Sequence, residues 1–194
     1  MGIIDALDRF DKRISAPIHT LELPTFLEAI LFVFAKTFNG EGTILLLALV
    51  CGLLPSSDIK YVYLVCIAKY FSILAGSAIL IGVLKGLVGR QRPPLNEKVR
   101  RISYLRKKEF NASMPSGDSA QSAVFAAFVT FFFPNSVITP YVWIIPPISA
   151  FGRVYFQCHW VLDTVIGISY GTLFVYLNVL LEKAVLGHLF VMAH

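Results

Sequence analysis

A polar stretch in the middle of the chain holds residues suited to binding an anion. Its letters, from Asn111 to Gln121, are Asn-Ala-Ser-Met-Pro-Ser-Gly-Asp-Ser-Ala-Gln. Ser116, Gly117 and Asp118 stand where an apolar helix begins, with unpaired backbone N–H groups and side chains suited to capping. The partial positive charge of a helix start favours a bound anion. The stretch therefore predicts a phosphate site.

Two clusters flank this stretch: Lys85 and Arg92 before it, and Arg153, His159 and Asp163 after it. His159 and Asp163 are four residues apart. On a helix start, the carboxylate then accepts from one ring N–H and the other ring nitrogen points outward as a base or nucleophile. The three cations would bind phosphate oxygens and stabilise charge during phosphoryl transfer. We expect attack by His159 to give a phosphohistidine that water hydrolyses.

The composition indicates an integral membrane protein. The chain is 56% hydrophobic and 15% charged, with a mean hydropathy of +0.70. The net charge of +5 is concentrated in one loop that carries eight basic residues, Arg90, Arg92, Lys98, Arg100, Arg101, Arg106, Lys107 and Lys108. Nucleic acid is a poor candidate partner because no aromatic-and-basic binding pattern accompanies this charge. A phosphorylated lipid and the bilayer itself fit better.

The apolar runs predict an all-α, polytopic membrane helical bundle, because open sheet edges are excluded from lipid. Residues 3–18 have the pattern of an amphipathic helix lying on the membrane. Residues 24–38 are short and predict either a packed helix or a re-entrant piece. The pattern predicts five to six transmembrane helices; five probable spans cover 44–54, 61–84, 119–133, 137–151 and 160–181.

The elements bring the three clusters to one membrane face, because each cluster closes or opens a span at the same end of the bundle. We predict a single membrane-embedded domain over 1–194, with an interfacial segment at 1–23 and a basic loop at 86–115 that carries part of the site. The basic loop predicts a site on the cytoplasmic face of the membrane. The sequence does not indicate the organelle, and the endoplasmic reticulum and the plasma membrane both stay open. Lys69, within a span, is either functional or paired with a polar partner, and we favour the partner.

The three clusters together resemble the signature of the type 2 phosphatidic acid phosphatase superfamily, which comprises membrane lipid phosphatases and diphosphatases. The resembling parts are Lys85 with Arg92-Pro93, then Pro115-Ser116-Gly117, then Arg153 with His159 and Asp163. Each part is weak alone, but three parts in order with the correct internal spacing are specific. The resemblance covers residues 85–163 in motif.

The resemblance implies a role for each matching position. Lys85, Arg92 and Arg153 correspond to the phosphate-binding cations, and Ser116 with the Gly117 N–H to hydrogen-bond donors. His159 corresponds to the nucleophile and Asp163 to the carboxylate that orients it. The family works without a metal or other cofactor, and the sequence offers no metal-ligand cluster beyond His159, Asp163 and Asp118.

Two positions depart from the family pattern. Gly152 replaces a serine before the arginine, and Asp118 replaces the histidine expected to protonate the leaving oxygen. Neighbouring cations favour an ionised Asp118, whereas a bound phosphate and desolvation favour its protonated form. A diphosphate needs less protonation of its leaving group than an alkoxide does. We therefore favour a polyisoprenoid-type diphosphate as the substrate, with Asp118 as the acid.

Three hypotheses remain open at the level of sequence. The first is a lipid phosphatase that works through phosphohistidine. The second is a catalytically impaired relative that binds phosphorylated lipids as a scaffold or regulator, with Asp118 only capping its helix. The third is a small channel or transporter, for which the sequence offers little beyond Lys69.

Overall fold

The computed structural model describes residues 2–37, 42 and 57–192. These residues form six α-helices and two short 3-10 helices, Leu105–Lys108 and Val142–Ile144. The predicted all-α class is confirmed for this part of the chain, while the predicted span at 44–54 lies outside the described residues. The α-helices are α1 (Ile3–Thr20), α2 (Thr25–Thr37), α3 (Ser57–Val88), α4 (Gly117–Phe132), α5 (Ile145–Tyr155) and α6 (Val161–Met192).

Helices α3 and α6 are long and apolar enough to cross a membrane. Their segments Leu64–Val88 and Val161–Val185 are each 25 residues long, with mean hydropathies of 2.1 and 1.7. About 20 apolar residues are enough to span the hydrocarbon layer. Large apolar side chains such as Ile79 and Leu87 are 71% and 77% exposed on α3. These outward faces are suited to contact with lipid.

Helices α4 and α6 pack closely against each other near the site. A Cβ atom at Gly167 would lie 2.5 Å from the Ser116 carbonyl oxygen, and one at Gly171 would lie 2.2 Å from that of Ala120. Glycine is required at both positions, since the backbones could not otherwise approach so closely. The Ser116 N–H also donates to the Asp163 carbonyl at 2.9 Å. The starts of α4 and α6 are thereby fixed side by side.

The helix predicted at 137–151 is wrong in its bounds. Turns and the 3-10 helix Val142–Ile144 come first, and α5 runs only over Ile145–Tyr155. Pro146 and Pro147 occupy its first turn, where a proline does not remove a helical hydrogen bond. The shorter helix has Arg153 in its last turn, beside the starts of α4 and α6.

The structure answers two predictions, one about the segment 24–38 and one about Lys69. Helix α2 is the short packed helix expected at 24–38, and its Glu28, 1% exposed, accepts from the Ile102 N–H at 2.9 Å. Lys69 forms an ion pair with Glu182 of α6 and lies over the Phe132 ring. The predicted polar partner for Lys69 is therefore confirmed.

Helix α1 confirms the predicted amphipathic helix and presents its apolar side outward. Leu7, Phe10 and Ile14 are 51%, 60% and 37% exposed, whereas Asp11 and Ser15 are 2% and 0% exposed. A helix packed on a soluble protein has the opposite arrangement. The apolar side of α1 is suited to a membrane surface, and its polar side faces the bundle.

Candidate active site

A polar cavity of about 240 Å³ lies where the starts of α4 and α6 meet the end of α3. Five of the predicted site residues line it: Lys85, Arg92, Gly117, Asp118 and His159. The other three, Ser116, Arg153 and Asp163, are buried, with at most 2% of each exposed. The structure thus gathers the three sequence clusters at one end of the bundle.

Lys85 and Arg92, the first of the three clusters, are held by backbone carbonyl groups. The Lys85 ammonium donates to the Ala112 carbonyl at 2.7 Å. Gly89, with a φ of +59°, turns the chain at the end of α3 in a conformation that favours glycine. Arg92 then donates to the carbonyls of Asn111 at 2.8 Å and Cys158 at 2.7 Å. Both cations are therefore fixed at the cavity wall.

Two carboxylates already contact the cations of the cavity. Glu109 accepts from Arg153 through one oxygen and lies 2.9 Å from Arg92 Nη2 through the other. Asp118 Oδ2 lies 2.9 Å from Arg153 Nη2. Burial opposes ionisation of Glu109, but the guanidinium groups of Arg153 and Arg92 lower its pKa to about 2. These guanidinium groups therefore form an anion site occupied by a side chain of the protein itself.

His159 is a buried, neutral imidazole. Burial, reinforced by the nearby charges of Arg153 and Arg92, lowers its pKa to about 4, although Asp163 opposes this shift. Its Nε2 atom lies 3.2 Å from Arg92 Nη1, a permanent donor. Nε2 therefore carries the lone pair and Nδ1 the proton. The neutral ring has its nucleophilic nitrogen next to a cation that lines the cavity.

The predicted hydrogen bond between His159 and Asp163 is not formed at hydrogen-bond distance. His159 Nδ1 lies 3.6 Å from Asp163 Oδ2, and it has no hydrogen-bond partner among the described residues. The prediction placed both residues on a helix, but α6 begins only at Val161. Asp163 Oδ2 instead accepts from the Trp160 N–H at 2.9 Å and from the Ser113 hydroxyl.

The anion stretch begins a helix as predicted. Ser116 is the N-cap residue of α4, and its hydroxyl accepts from the Ser119 N–H and lies 3.0 Å from the Ser119 hydroxyl. Gly117 and Asp118 follow in the first turn and line the cavity. The backbone start of the helix faces the site, while the Ser116 hydroxyl is engaged within the helix.

Sequence reasoning missed several residues that shape the site. Glu109 had one available signal, since it is one of two acids in the basic loop. Arg101 and Arg106, expected to be loop charges, instead hold the loop together. Arg101 donates to the carbonyls of Tyr155 and His19, and Arg106 to those of Pro93 and Glu109.

The fold and the site together define a class, an α-helical membrane protein whose cation-lined cavity adjoins a buried neutral histidine. The sequence matches the profile of the PAP2 superfamily over residues 67–185. The match covers more than half of the chain, so the chain belongs to the PAP2 superfamily. The family predicted from the three motifs, that of the membrane lipid phosphatases, is confirmed.

Two solved structures have a similar fold. One is the first transmembrane PAP2 type phosphatidylglycerolphosphate phosphatase from Bacillus subtilis, with a TM-score of 0.68 and 20% identity over 92% of this chain and 87% of that one. The other is LpxE from Aquifex aeolicus, with a TM-score of 0.60 and 17% identity over 86% of this chain and 93% of that one. No curated protein matches the chain in sequence.

Proposed function

We propose that the protein is a membrane lipid phosphatase that hydrolyses a phosphorylated lipid through a phosphohistidine at His159. The observation that carries this proposal is the 3.2 Å contact between His159 Nε2 and the Arg92 guanidinium, at the wall of a cavity that Lys85 also lines. A phosphate bound by Arg92 and Lys85 would lie next to a neutral ring nitrogen. That arrangement provides a nucleophile and charge stabilisation at one place.

The reaction has two steps. In the first, the His159 Nε2 lone pair forms a bond to phosphorus, and the bond between phosphorus and the leaving oxygen breaks. The leaving oxygen keeps the electron pair and receives a proton, for which Asp118 is the nearest predicted acid. In the second, water attacks phosphorus and gives a proton to the Asp118 carboxylate, the P–N bond breaks with its electron pair returning to Nε2, and inorganic phosphate leaves. Lys85, Arg92 and Arg153 stabilise the charge on the phosphate oxygens in both steps.

The contact between Asp118 and Arg153 supports a diphosphate as the preferred substrate. Asp118 Oδ2 lies 2.9 Å from Arg153 Nη2, so the side chain must leave this ion pair before it can serve the leaving oxygen. A phosphate leaving group departs with less protonation than an alkoxide. A lipid diphosphate of the polyisoprenoid type therefore suits this site better than a lipid monophosphate.

A second candidate function has one observation in its favour. Glu109 and Asp118 already neutralise part of the charge of Arg92 and Arg153. A catalytically impaired relative that binds phosphorylated lipids as a scaffold or regulator would need only the cation site and no acid. This candidate predicts lipid phosphate binding without phosphate release.

We further propose five to six membrane spans within a single domain, with the site on the cytoplasmic face. The two long apolar helices and the eight basic residues of the loop support this arrangement. Limited proteolysis in sealed, oriented vesicles tests the orientation. Cleavage of the loop only from the external or luminal side would overturn it.

The proposed function is tested by phosphate release from purified protein in detergent. The substrates are isoprenoid diphosphates, phosphatidic acid, sphingoid phosphates and phosphatidylglycerol phosphate. We expect release from at least one of them, fastest with a diphosphate, and loss of at least about 1,000-fold with His159→Ala. His194→Ala is the matched control and retains wild-type rates. Lipid binding without any release would favour the second candidate.

A further inference from the structure

Asp163 is paired with a cation, Arg90, that does not line the cavity. Arg90 Nη1 lies 2.6 Å from Asp163 Oδ1 and also 2.7 Å from Asp11 Oδ2. Arg90 Nη2 lies 2.7 Å from Asp8 Oδ1. The Arg90 side chain is 13% exposed, and those of Asp163 and Asp11 are 0% and 2% exposed. The guanidinium group of Arg90 therefore connects Asp163 to helix α1.

Helix α1 also holds the start of α6 directly. The Leu162 N–H donates to Asp11 Oδ1 at 2.8 Å, and the Val161 N–H donates to the Ser15 hydroxyl at 3.0 Å. Asp11 and Ser15 lie four residues apart, so they share one face of α1. They satisfy N–H groups that a helix start leaves unpaired. The residues next to His159 are thus tied to α1 twice, through α6 and through Arg90.

The contacts divide the two oxygens of Asp163 between two tasks. Oδ1 faces Arg90, while Oδ2 accepts from Trp160 and Ser113 and is the oxygen nearer His159 Nδ1, at 3.6 Å. Rotation of the carboxylate would break several of these contacts at once. The charge of Arg90 is also shared between Asp163 and Asp11, so each acid affects how strongly the other is neutralised.

We propose that Arg90 and Asp11 are positioning residues, which fix the Asp163 oxygen that faces His159 and set how strongly His159 holds its proton. We call Arg90 and Asp11, with the Asp163 carboxylate they hold, the clamp. Its functional meaning rests on the proposed function, since the clamp matters only if His159 is the nucleophile. The two residues act through Asp163 and do not line the cavity.

Several other charged or titratable groups face His159 or Asp163 from the elements packed around them. These groups are Asp8 and His19 of α1, Lys85 of α3, Arg92 and Glu109 of the basic loop, Asp118 of α4, Arg153 of α5, and Cys158, which follows α5. The clamp substitutions leave all of these groups in place. A change in the titration of His159 can therefore be assigned to Arg90 or Asp11.

Substitution of Arg90 and substitution of Asp11 are expected to shift the pKa of His159 in opposite directions. Arg90→Gln removes a cation from Asp163, so the carboxylate attracts the His159 proton more strongly and the ring protonates at higher pH. Asp11→Asn removes an anion and leaves the Arg90 Nη1 atom to Asp163 alone, while Nη2 keeps Asp8, so the ring protonates at lower pH. Loosened packing alone would expose the ring and raise the His159 pKa in both variants, since burial is the main cause of its lowering, so opposite shifts identify the charges of Arg90 and Asp11 as the cause.

The test measures the His159 ring by NMR in detergent-solubilised protein labelled at histidine, with the signal assigned by His159→Ala. Burial lowers the pKa of His159 to about 4, so we expect the wild-type ring to be about half protonated near pH 4. We expect a larger protonated fraction in Arg90→Gln, with a shift of about one pH unit, and a smaller fraction in Asp11→Asn. Arg90→Lys keeps the charge and stays near the wild type.

Matched controls are Arg100→Gln on the exposed side of the same loop and Asp5→Asn on the exposed side of α1. Both should leave the His159 titration unchanged. Equal fractions in all variants, or shifts in the same direction for Arg90→Gln and Asp11→Asn, would overturn the clamp. If Arg90→Gln does not fold, the direction of the Asp11→Asn shift decides alone.

The NMR readout does not depend on turnover, so it separates the clamp from the proposed function. Opposite shifts in a protein that releases no phosphate would support the clamp and overturn the phosphatase. Where phosphate is released, the acid limb of kcat/KM should move with the His159 titration in each variant.

Discussion

His159 lies between two guanidinium–carboxylate clusters that use the same chemistry and differ in access. On the cavity side, Glu109 and Asp118 pair with Arg153, and their side chains are 23% and 21% exposed. On the α1 side, Asp163 and Asp11 pair with Arg90 and are 0% and 2% exposed. The carboxylates at the cavity are open to exchange with a phosphate, whereas Asp163 and Asp11 are closed to solvent. The third acid on Arg90, Asp8, is 35% exposed but does not line the cavity. Access therefore separates the binding cluster from the positioning cluster.

Within the two clusters, the largest effect is expected from removing the cation that both cavity carboxylates share. Arg153→Met removes one of the two guanidinium groups, those of Arg92 and Arg153, that are proposed to stabilise the phosphate oxygens in the transition state. We expect phosphate release to fall by about 100- to 1,000-fold in kcat, the range for loss of one preorganised donor. Steady-state kinetics on the preferred lipid measures this loss.

The exposed Arg100→Gln is the control for Arg153→Met, since it also removes an arginine but does not change the lining of the cavity. Size-exclusion profiles establish that the Arg153 variant is folded. Undiminished turnover in a folded Arg153→Met would show that the cavity-side cluster does not bind the reacting phosphate.

The second effect concerns the acid at the start of α4. Asp118→Asn cannot supply a proton, so we expect kcat to fall by about 100-fold, the lower limit of the range for general acid catalysis. Asp118→His should retain activity with its optimum at higher pH. Activity that appears only in Asp118→His would mean that the native protein is a lipid-phosphate binder.

A third and smaller effect has the opposite sign. Glu109→Gln removes the anion that competes with substrate for Arg92 and Arg153, so KM should fall by about tenfold, the worth of one charged hydrogen bond. The control is Glu97→Gln, an exposed acid of the same loop paired with Lys107. A rise in KM would show that Glu109 supports phosphate binding and that the cavity carboxylates are not exchangeable.

The smallest effect lies away from both clusters. Lys69 pairs with Glu182 between α3 and α6, with side chains 32% and 41% exposed. Lys69→Met should lower Tm by about 3 °C and change phosphate release by less than about twofold. Thermal unfolding and kinetics in detergent test both values. A tenfold loss of turnover would restore the functional interpretation of Lys69.

The cavity side of the site could be predicted from sequence, whereas the α1 side could not. Lys85, Arg92, Asp118 and His159 were found because motif spacing and the count of membrane crossings bring them to one end of a bundle. Arg90 lies two residues before Arg92 among eight basic residues, and nothing in its spacing distinguishes it. Its role depends on the docking of α1, a contact between residues more than seventy positions apart.

The predictions that failed or were missed depend on local geometry that the sequence does not specify. The hydrogen bond expected between His159 and Asp163 assumed a helix at both positions, and the 3.6 Å separation follows from a helix that starts at Val161. Glu109 was read only as one acid among basic residues, because its place between Arg92 and Arg153 depends on how the loop folds. A pattern of residue types indicates which groups meet, but not which oxygen faces which nitrogen.

The most direct test of the central claim is to trap the covalent intermediate. Wild-type protein is mixed briefly with a lipid diphosphate, denatured in alkali, and digested with trypsin for mass spectrometry. The tryptic peptide 154–183 contains one histidine, His159. We predict an acid-labile, alkali-stable phosphate on that residue. Phosphate release without any label on the peptide, and undiminished in His159→Ala, would contradict the claim.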